Sequence, residues 1–198
     1  LLMIGSRRTG VNLAQLADDR IFKPLGMSRT AFSLAAARMR AGENLAVPHR
    51  DRRPIDHYGV AEWPAAQLRS SANDLAAMLC SLTSQIAPSR KEGSDGSSAA
   101  SVQLLSQKSF EMMLPADGRR GLAWWGLDAT YSCQEDGLWE HGGMMDGARS
   151  HIWLWPAAGA GAVFLGNGTA GYGNITAAVK ELALSPEHTT VDDQSDGV

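Results

Sequence analysis

Glu140-His141-Gly142-Gly143-Met144 is a run whose residue types and spacing suit chemistry. An imidazole can bind a carboxylate or tune a neighbouring base near neutral pH. Glycines inside a strand mark places where a ligand or another backbone comes close. A main-chain N–H at Met144 can point at a developing oxyanion. The plainer account of the same letters is a bulged strand with a structural histidine. A second group, Gly166-Asn167-Gly168-Thr169-Ala170-Gly171, has the letters of a dinucleotide-binding turn between strand and helix. That site needs a further parallel strand, ending in an acid about twenty residues on. Here a polar acidic tail follows the helix, and the preceding strand closes an antiparallel meander. A nucleotide-binding domain built on Gly166, Gly168 and Gly171 is therefore the remote alternative to a glycine-rich strand-to-helix turn. Cys80 is expected on the apolar side of a helix and Cys133 in a polar stretch, so the two make no disulfide framework. No CxxC, HExxH or His-x-His spacing occurs, and neither a metal nor a cofactor is expected.

The elements that must position these residues are legible in the apolar periodicity. Residues 11–22 read as a helix with Leu13, Leu16, Ala17 and Ile21 on one face, capped by Asn12 and stopped by Pro24 and Gly26. Residues 34–63 look like an irregular surface excursion. A helix over 71–82 is expected, with Ser71 as its cap and Asp74 in its first turn. Its buried stripe is Leu75, Met78, Leu79 and Leu82. Residues 84–101 hold six serines and two glycines, which reads as a flexible insertion. A short helix at 106–114 stops at Pro115. Strands are expected at 121–127, 138–145, 149–155 and 161–165, with a hairpin turn at Asp146-Gly147 and a second turn at 156–160. Trp124, Trp125, Trp153 and Trp155 are expected to fill the core between sheet and helices. A last helix over 175–184 would bury Ile175, Ala178, Val179 and Leu182, with Asn174 as its cap. The pattern is α+β: an antiparallel meander with packed helices.

Composition agrees with a globular domain. The chain has 198 residues, 44% hydrophobic and 20% charged. No apolar run reaches the ~18 residues needed to span a bilayer, and no signal peptide is visible at the start. The net charge is −3, and the four acids of residues 185–198 account for it, leaving the body at +1. Residues 1–56 carry ten basic and five acidic side chains, with a cluster at His49-Arg50-Asp51-Arg52-Arg53. That excess is too small for nucleic-acid binding and reads as a solvated loop.

Several segments in order resemble the serine β-lactamase and penicillin-binding superfamily, in its class C and esterase-like branch. Ile21-Phe22-Lys23-Pro24-Leu25-Gly26-Met27-Ser28-Arg29-Thr30 is similar to that branch's "I-F-x-P-L-G-M-x-x-T". The stretch from Pro64 to Leu75, PAAQLRSSANDL, is similar to "P-A-G-G-L-x-S-T-A-x-D-L", with Ala66 and Gln67 in place of the usual glycines. Gly121-Leu122-Ala123-Trp124 resembles "G-L-G-W". His141-Gly142-Gly143 stands where the family has Lys-Thr-Gly or His-x-Gly. Met144, Gly147, Pro156 and then Val163 to Asn167 keep the family's order. The resemblance covers nearly all of residues 1–184, with 185–198 as an acidic disordered tail.

The resemblance implies a serine hydrolase that cleaves an ester, amide or β-lactam through a covalent acyl-serine, with a small acyl substrate and no metal or cofactor. His141 would polarise the substrate or organise the base network. Gly142 and Gly143 would allow close approach, and the Met144 N–H would be an oxyanion donor. The family's nucleophile motif is Ser-x-x-Lys, and no serine of this chain has lysine three residues later. Tyr172-Gly173-Asn174 has the letters of the second motif, Tyr-x-Asn, but follows the third motif instead of preceding it. Leu1-Leu2-Met3-Ile4-Gly5 is similar to the helix that follows the second motif. The expectation is therefore a C-terminal portion of such a hydrolase, inactive alone. A non-catalytic binding or interaction domain derived from that family is the second reading.

Overall fold

Capped helices and one alternating hairpin organise the chain. A computed structural model describes residues 7–84, 102–115, 120–126, 137–169, 178–179 and 181–182. The expected insertion beyond Ser84, the acidic tail, Cys133, Gly171, Tyr172-Gly173-Asn174 and Ile175 lie outside the described residues.

Helix α1, Leu13–Ala17, starts as expected: the Asn12 side chain accepts from the Gln15 N–H. It then widens into a π turn, Asp18–Phe22, with Lys23 N–H donating to Asp18 O at 2.9 Å. The wider turn buries Phe22, and Ile21 packs half-buried against the same cluster, as expected. The stretch 34–63 corrects the sequence reading. Helix α2, Leu34–Ala41, is capped by Ser33. It buries only Ala37, so it has almost no apolar stripe to read. A two-residue hairpin follows, β1 (His49–Arg50) with β2 (Arg53–Pro54). Its turn residues Asp51 and Arg52 both have positive φ, at 47° and 66°. That turn shape favours Asn-Gly or Asp-Gly, and an Arg at its second position hides it from a sequence reader. Helix α3, Trp63–Ala66, completes the stretch.

Helix α4, Ala72–Thr83, has the expected Ser71 cap on the Asp74 N–H and buries Leu79 and Leu82. Leu75 and Met78 are half-buried and pack on the cluster of Ala17, Phe22, Met27 and Phe32. Cys80, expected on the apolar side, is exposed. Helix α5, Gln107–Met113, is capped by Ser106.

The main sheet has order β3-β4-β5, antiparallel throughout: Trp139–Met145, Ala148–Trp155 and Ala160–Gly166. Asp146-Gly147 makes the expected turn, with Gly147 at φ 74°. Among the described residues β5 thus closes an antiparallel meander and does not open a parallel unit of the kind a dinucleotide site needs. Both faces of β4 are covered. Leu154 and half-buried Ile152 pack with Trp124, Trp139, Leu79, Leu82, Phe110 and Leu114. Trp153 and Trp155 pack on the opposite face with Leu138 and half-buried Val179.

Three expectations are corrected here. Among the described residues, 120–126 is not a strand. Ala123 takes φ 64°, which breaks the extended run and leaves bridges at Arg120 and Trp125. Trp125 is not core: it is 39% exposed, with the Arg120 guanidinium 4.4 Å over its ring. Of the last helix, Val179 reaches the core, while Ala178 and Leu182 are exposed.

Candidate active site

The outer edge of β3 carries the candidate residues. Glu140 exchanges both main-chain hydrogen bonds with Trp125, at 2.8 and 2.9 Å. Successive residues of a strand present their N–H and C=O groups to opposite sides. Gly142 and Met144 therefore aim their main-chain groups the same way as Glu140, away from β4. Beyond Trp125 they meet no backbone partner among the described residues. The Met144 side chain is 74% exposed, and among the described residues this edge is unpaired beyond Trp125. Two N–H donors spaced along an open edge can receive an extended ligand or the oxygen of a polarised carbonyl.

His141 stands on the α4/α5 side of the sheet, opposite Ile152. Its Nδ1 lies 2.6 Å from Ala123 O. A carbonyl only accepts, so Nδ1 carries the hydrogen, and the neutral ring keeps its lone pair on Nε2. The imidazole is thereby oriented and its basic nitrogen designated. The acceptor comes from a strained place, the left-handed conformation of Ala123, a non-glycine residue. The Gly121 N–H to Trp124 O bond at 2.9 Å and the Trp125 bridge enforce that conformation.

The glycines are explained from β4. Gly142 faces His151, and a Cβ at 142 would sit 3.1 Å from His151 Nδ1. Gly143 faces Ser150, whose Oγ would collide with a Cβ. The close approach that these glycines permit is thus made by the protein's own side chains on the inner side of the strand. The outer edge stays open.

Sequence reasoning missed Ser150 and His151, and gave no role to Glu140 at the head of the candidate run. Glu140 is buried and its Oε2 lies 3.1 Å from His151 Nε2, with both side chains largely enclosed. The His151 ring stacks on Trp153 at 4.3 Å. The signal was present: a two-residue turn at 146–147 pairs Glu140 with Trp153 and places His151 diagonally next to it.

The segment containing β1 and β2 closes the far end of the hairpin. Arg50 pairs with Asp146, which holds that carboxyl below the usual carboxylate range. Tyr58 Oη donates to Asp146 O at 2.7 Å, and His49 N–H donates to Asn167 O at 2.9 Å. Pro48 and Ile55 crowd Gly147 so closely that a side chain there would collide with them. The basic cluster at 49–53, read as a solvated loop, is exposed from Arg50 to Arg53, while Arg50 and the flanking Pro48, Ile55 and Tyr58 contact the turn of β3 and β4. Among the described residues, no group of three or more His, Cys, Asp or Glu could hold a metal ion. Among them also, no helix is long and apolar enough to cross a membrane.

Comparison with known proteins adds to this geometry. The family model described as Beta-lactamase matches residues 3–184. A D-alanine carboxypeptidase AmpC from Burkholderia cenocepacia is similar in structure, with TM-score 0.64 and 18% identity. The match covers 91% of this chain and 57% of that one. A class C beta-lactamase from Rhodobacter sphaeroides gives TM-score 0.63 at 17% identity over 91% of this chain and 56% of its own. Another class C beta-lactamase gives 0.64 at 16%, over 92% and 54%. The chain spans a little over half the length of these structures, and at such identities the likeness establishes the fold. No curated protein matches the chain in sequence.

Proposed function

This chain belongs to the beta-lactamase family, and from that premise we propose that it supplies the β3 wall of an acyl-transfer site for an ester, amide or β-lactam. The substrate lies along the outer edge of β3. The Met144 N–H donates to the carbonyl oxygen, which gains negative charge as the carbonyl carbon becomes tetrahedral. The Gly142 main chain aligns the acyl side. His141, oriented through Nδ1, presents Nε2 to the substrate or to the group that moves the nucleophile's proton. The observation that carries this reading is the open pair of outward main-chain groups at Gly142 and Met144 beside an imidazole of defined tautomer.

The covalent step needs a serine activated by a neighbouring base. No serine of these 198 residues stands three before a lysine. These residues alone therefore bind without forming an acyl-enzyme. Titration with a β-lactam or an aryl ester, followed by amide NMR, tests the site. Shifts concentrated at Gly142, Met144 and the His141 ring support it, and an unperturbed β3 edge sinks it. A serine-directed fluorophosphonate should leave the chain unlabelled. Stoichiometric labelling at one serine would show that the nucleophile lies within these residues after all.

A further inference from the structure

Arg120, Trp125 and Glu140 form one row across the outer edge of the sheet. Antiparallel bridges pair Arg120 with Trp125 and Trp125 with Glu140. Directly paired residues point to the same face. These three side chains therefore share the face that carries His151 and Trp153. The Arg120 guanidinium carbon stands 4.4 Å over the centre of the Trp125 ring, and both residues are exposed.

The charge on Arg120 is not answered within its own row. The Glu140 carboxylate turns inward to His151 Nε2 at 3.1 Å. Among the described residues Arg120 makes no ion pair, and its side chain donates no hydrogen bond. An aromatic ring holds a guanidinium through its face, so the in-plane N–H donors remain for an acceptor. An oriented guanidinium with unspent donors is suited to a carboxylate, which it can bind with two parallel hydrogen bonds.

The row ends where the candidate site begins. In the register set by Trp125 and Glu140, residue 123 would stand opposite Gly142. Ala123 instead takes φ 64° and turns its carbonyl to His141 Nδ1 at 2.6 Å. The outward main chain of Gly142 is thus unpaired among the described residues. The next side chains along that edge are the Trp125 indole and the guanidinium over it.

We propose that Arg120, held over Trp125, is a specificity-determining residue of this edge and selects acyl groups that end in a carboxylate. The inference rests on the acyl-transfer reading, in which the Met144 N–H meets the reacting carbonyl and Gly142 aligns the acyl side. Met144 lies four residues from Glu140, roughly 13 Å along the strand. A long acyl chain reaches the Arg120 row from there, and a short one does not.

Amide NMR titration of the whole chain with two phenyl esters of equal chain length tests it. One is the monoester of suberic acid, which ends in a carboxylate, and the other is the octanoate, which does not. Dissociation constants are read from the Gly142 and Met144 shifts. The suberate should bind about fivefold tighter, the worth of one exposed ion pair. High salt should shrink that advantage. The succinate monoester should show no such advantage over the butyrate ester, because its carboxylate falls short of the row. Arg120→Gln should abolish the suberate advantage and leave octanoate binding unchanged, and Arg120→Lys should keep part of it. Trp125→Leu should reduce it although the guanidinium is still present, since the ring that orients it is gone. Shifts at Gly142 and Met144 with equal affinities for suberate and octanoate, or an advantage that survives Arg120→Gln, overturn the assignment of Arg120 while the edge stands as a binding site. An unperturbed β3 edge with both esters overturns the acyl-transfer reading, and this inference with it.

Discussion

The β3–β4 hairpin and the segment 28–74 hold their shapes by different means. The hairpin is a ladder of seven paired positions from Trp139↔Leu154 to Met145↔Ala148, and each rung repeats the last. The segment 28–74 has short elements joined by individual polar anchors between distant residues. Asp74, buried at the start of α4, accepts from Arg29 N–H at 2.8 Å and from Thr30 Oγ1 at 2.6 Å. Arg40 reaches back to Thr30 O and to Asp18. A ladder distributes its stability over many equivalent bonds, whereas an anchor concentrates it in one side chain.

That contrast can be broken by substitution, and the largest effect should come from the anchor. Asp74→Ala leaves the Arg29 N–H without its acceptor beside a fully buried Thr30, and should destabilise by about 3 kcal/mol in urea denaturation. Asp74→Asn should retain part of that. A loss below the level of an ordinary surface substitution would mean that the segment is not anchored there. Gly121→Ala comes next. A Cβ there collides with the Met113 carbonyl, and overpacking of this kind costs about 2 kcal/mol. Because Gly121 sets the turn that presents Ala123 O, the His141 ring resonances should shift as well. Unmoved resonances would separate that turn from His141.

Gly143→Ala, on the ladder, should cost about 1 kcal/mol, because the facing Ser150 side chain can rotate away. Ser150→Ala in the same chain should restore most of it. If it restores nothing, the backbone of β3 is what resists. The smallest effect is a pH dependence. His57 takes its proton near 6.5 in the unfolded chain and below that when folded. In between, the unfolded chain binds more protons, so stability rises with pH. The contribution is complete above 6.5 and is lost as pH falls through the folded value. The Tm decrease on acidification from pH 7.5 should therefore be smaller in His57→Gln. Arg69, Arg38 and Asp56 are the charged groups that act on this imidazole. Equal decreases would show that His57 is not desolvated.

How much was legible follows the same division. The hairpin was open to sequence reading: alternation in 149–155 and the Asp146-Gly147 turn give its strands and register. The caps Asn12 and Ser71 were legible too, because capping is a short-range hydrogen bond. The helix α2 was not, since a run of alanines and arginines has no apolar stripe. The turn at Asp51-Arg52 was not, since Arg is a poor indicator of positive φ. Of the site, His141, Gly142, Gly143 and Met144 could be nominated from their letters. Their partners Ala123, Ser150 and His151 could not, and neither could the contact of Glu140 with His151, because each depends on a register or a backbone conformation.

The sequence by itself determined the helix starts, the meander, its order along the chain and the motif on its first strand. These follow from period, caps and turn residues within a few positions of one another. Only the tertiary structure decided which edge of β3 is unpaired among the described residues, which nitrogen of His141 faces Ala123, and where Arg69 is held. Those depend on contacts between residues far apart in the chain, such as His141 with Ala123 and Arg69 with Phe32, and no local pattern records them.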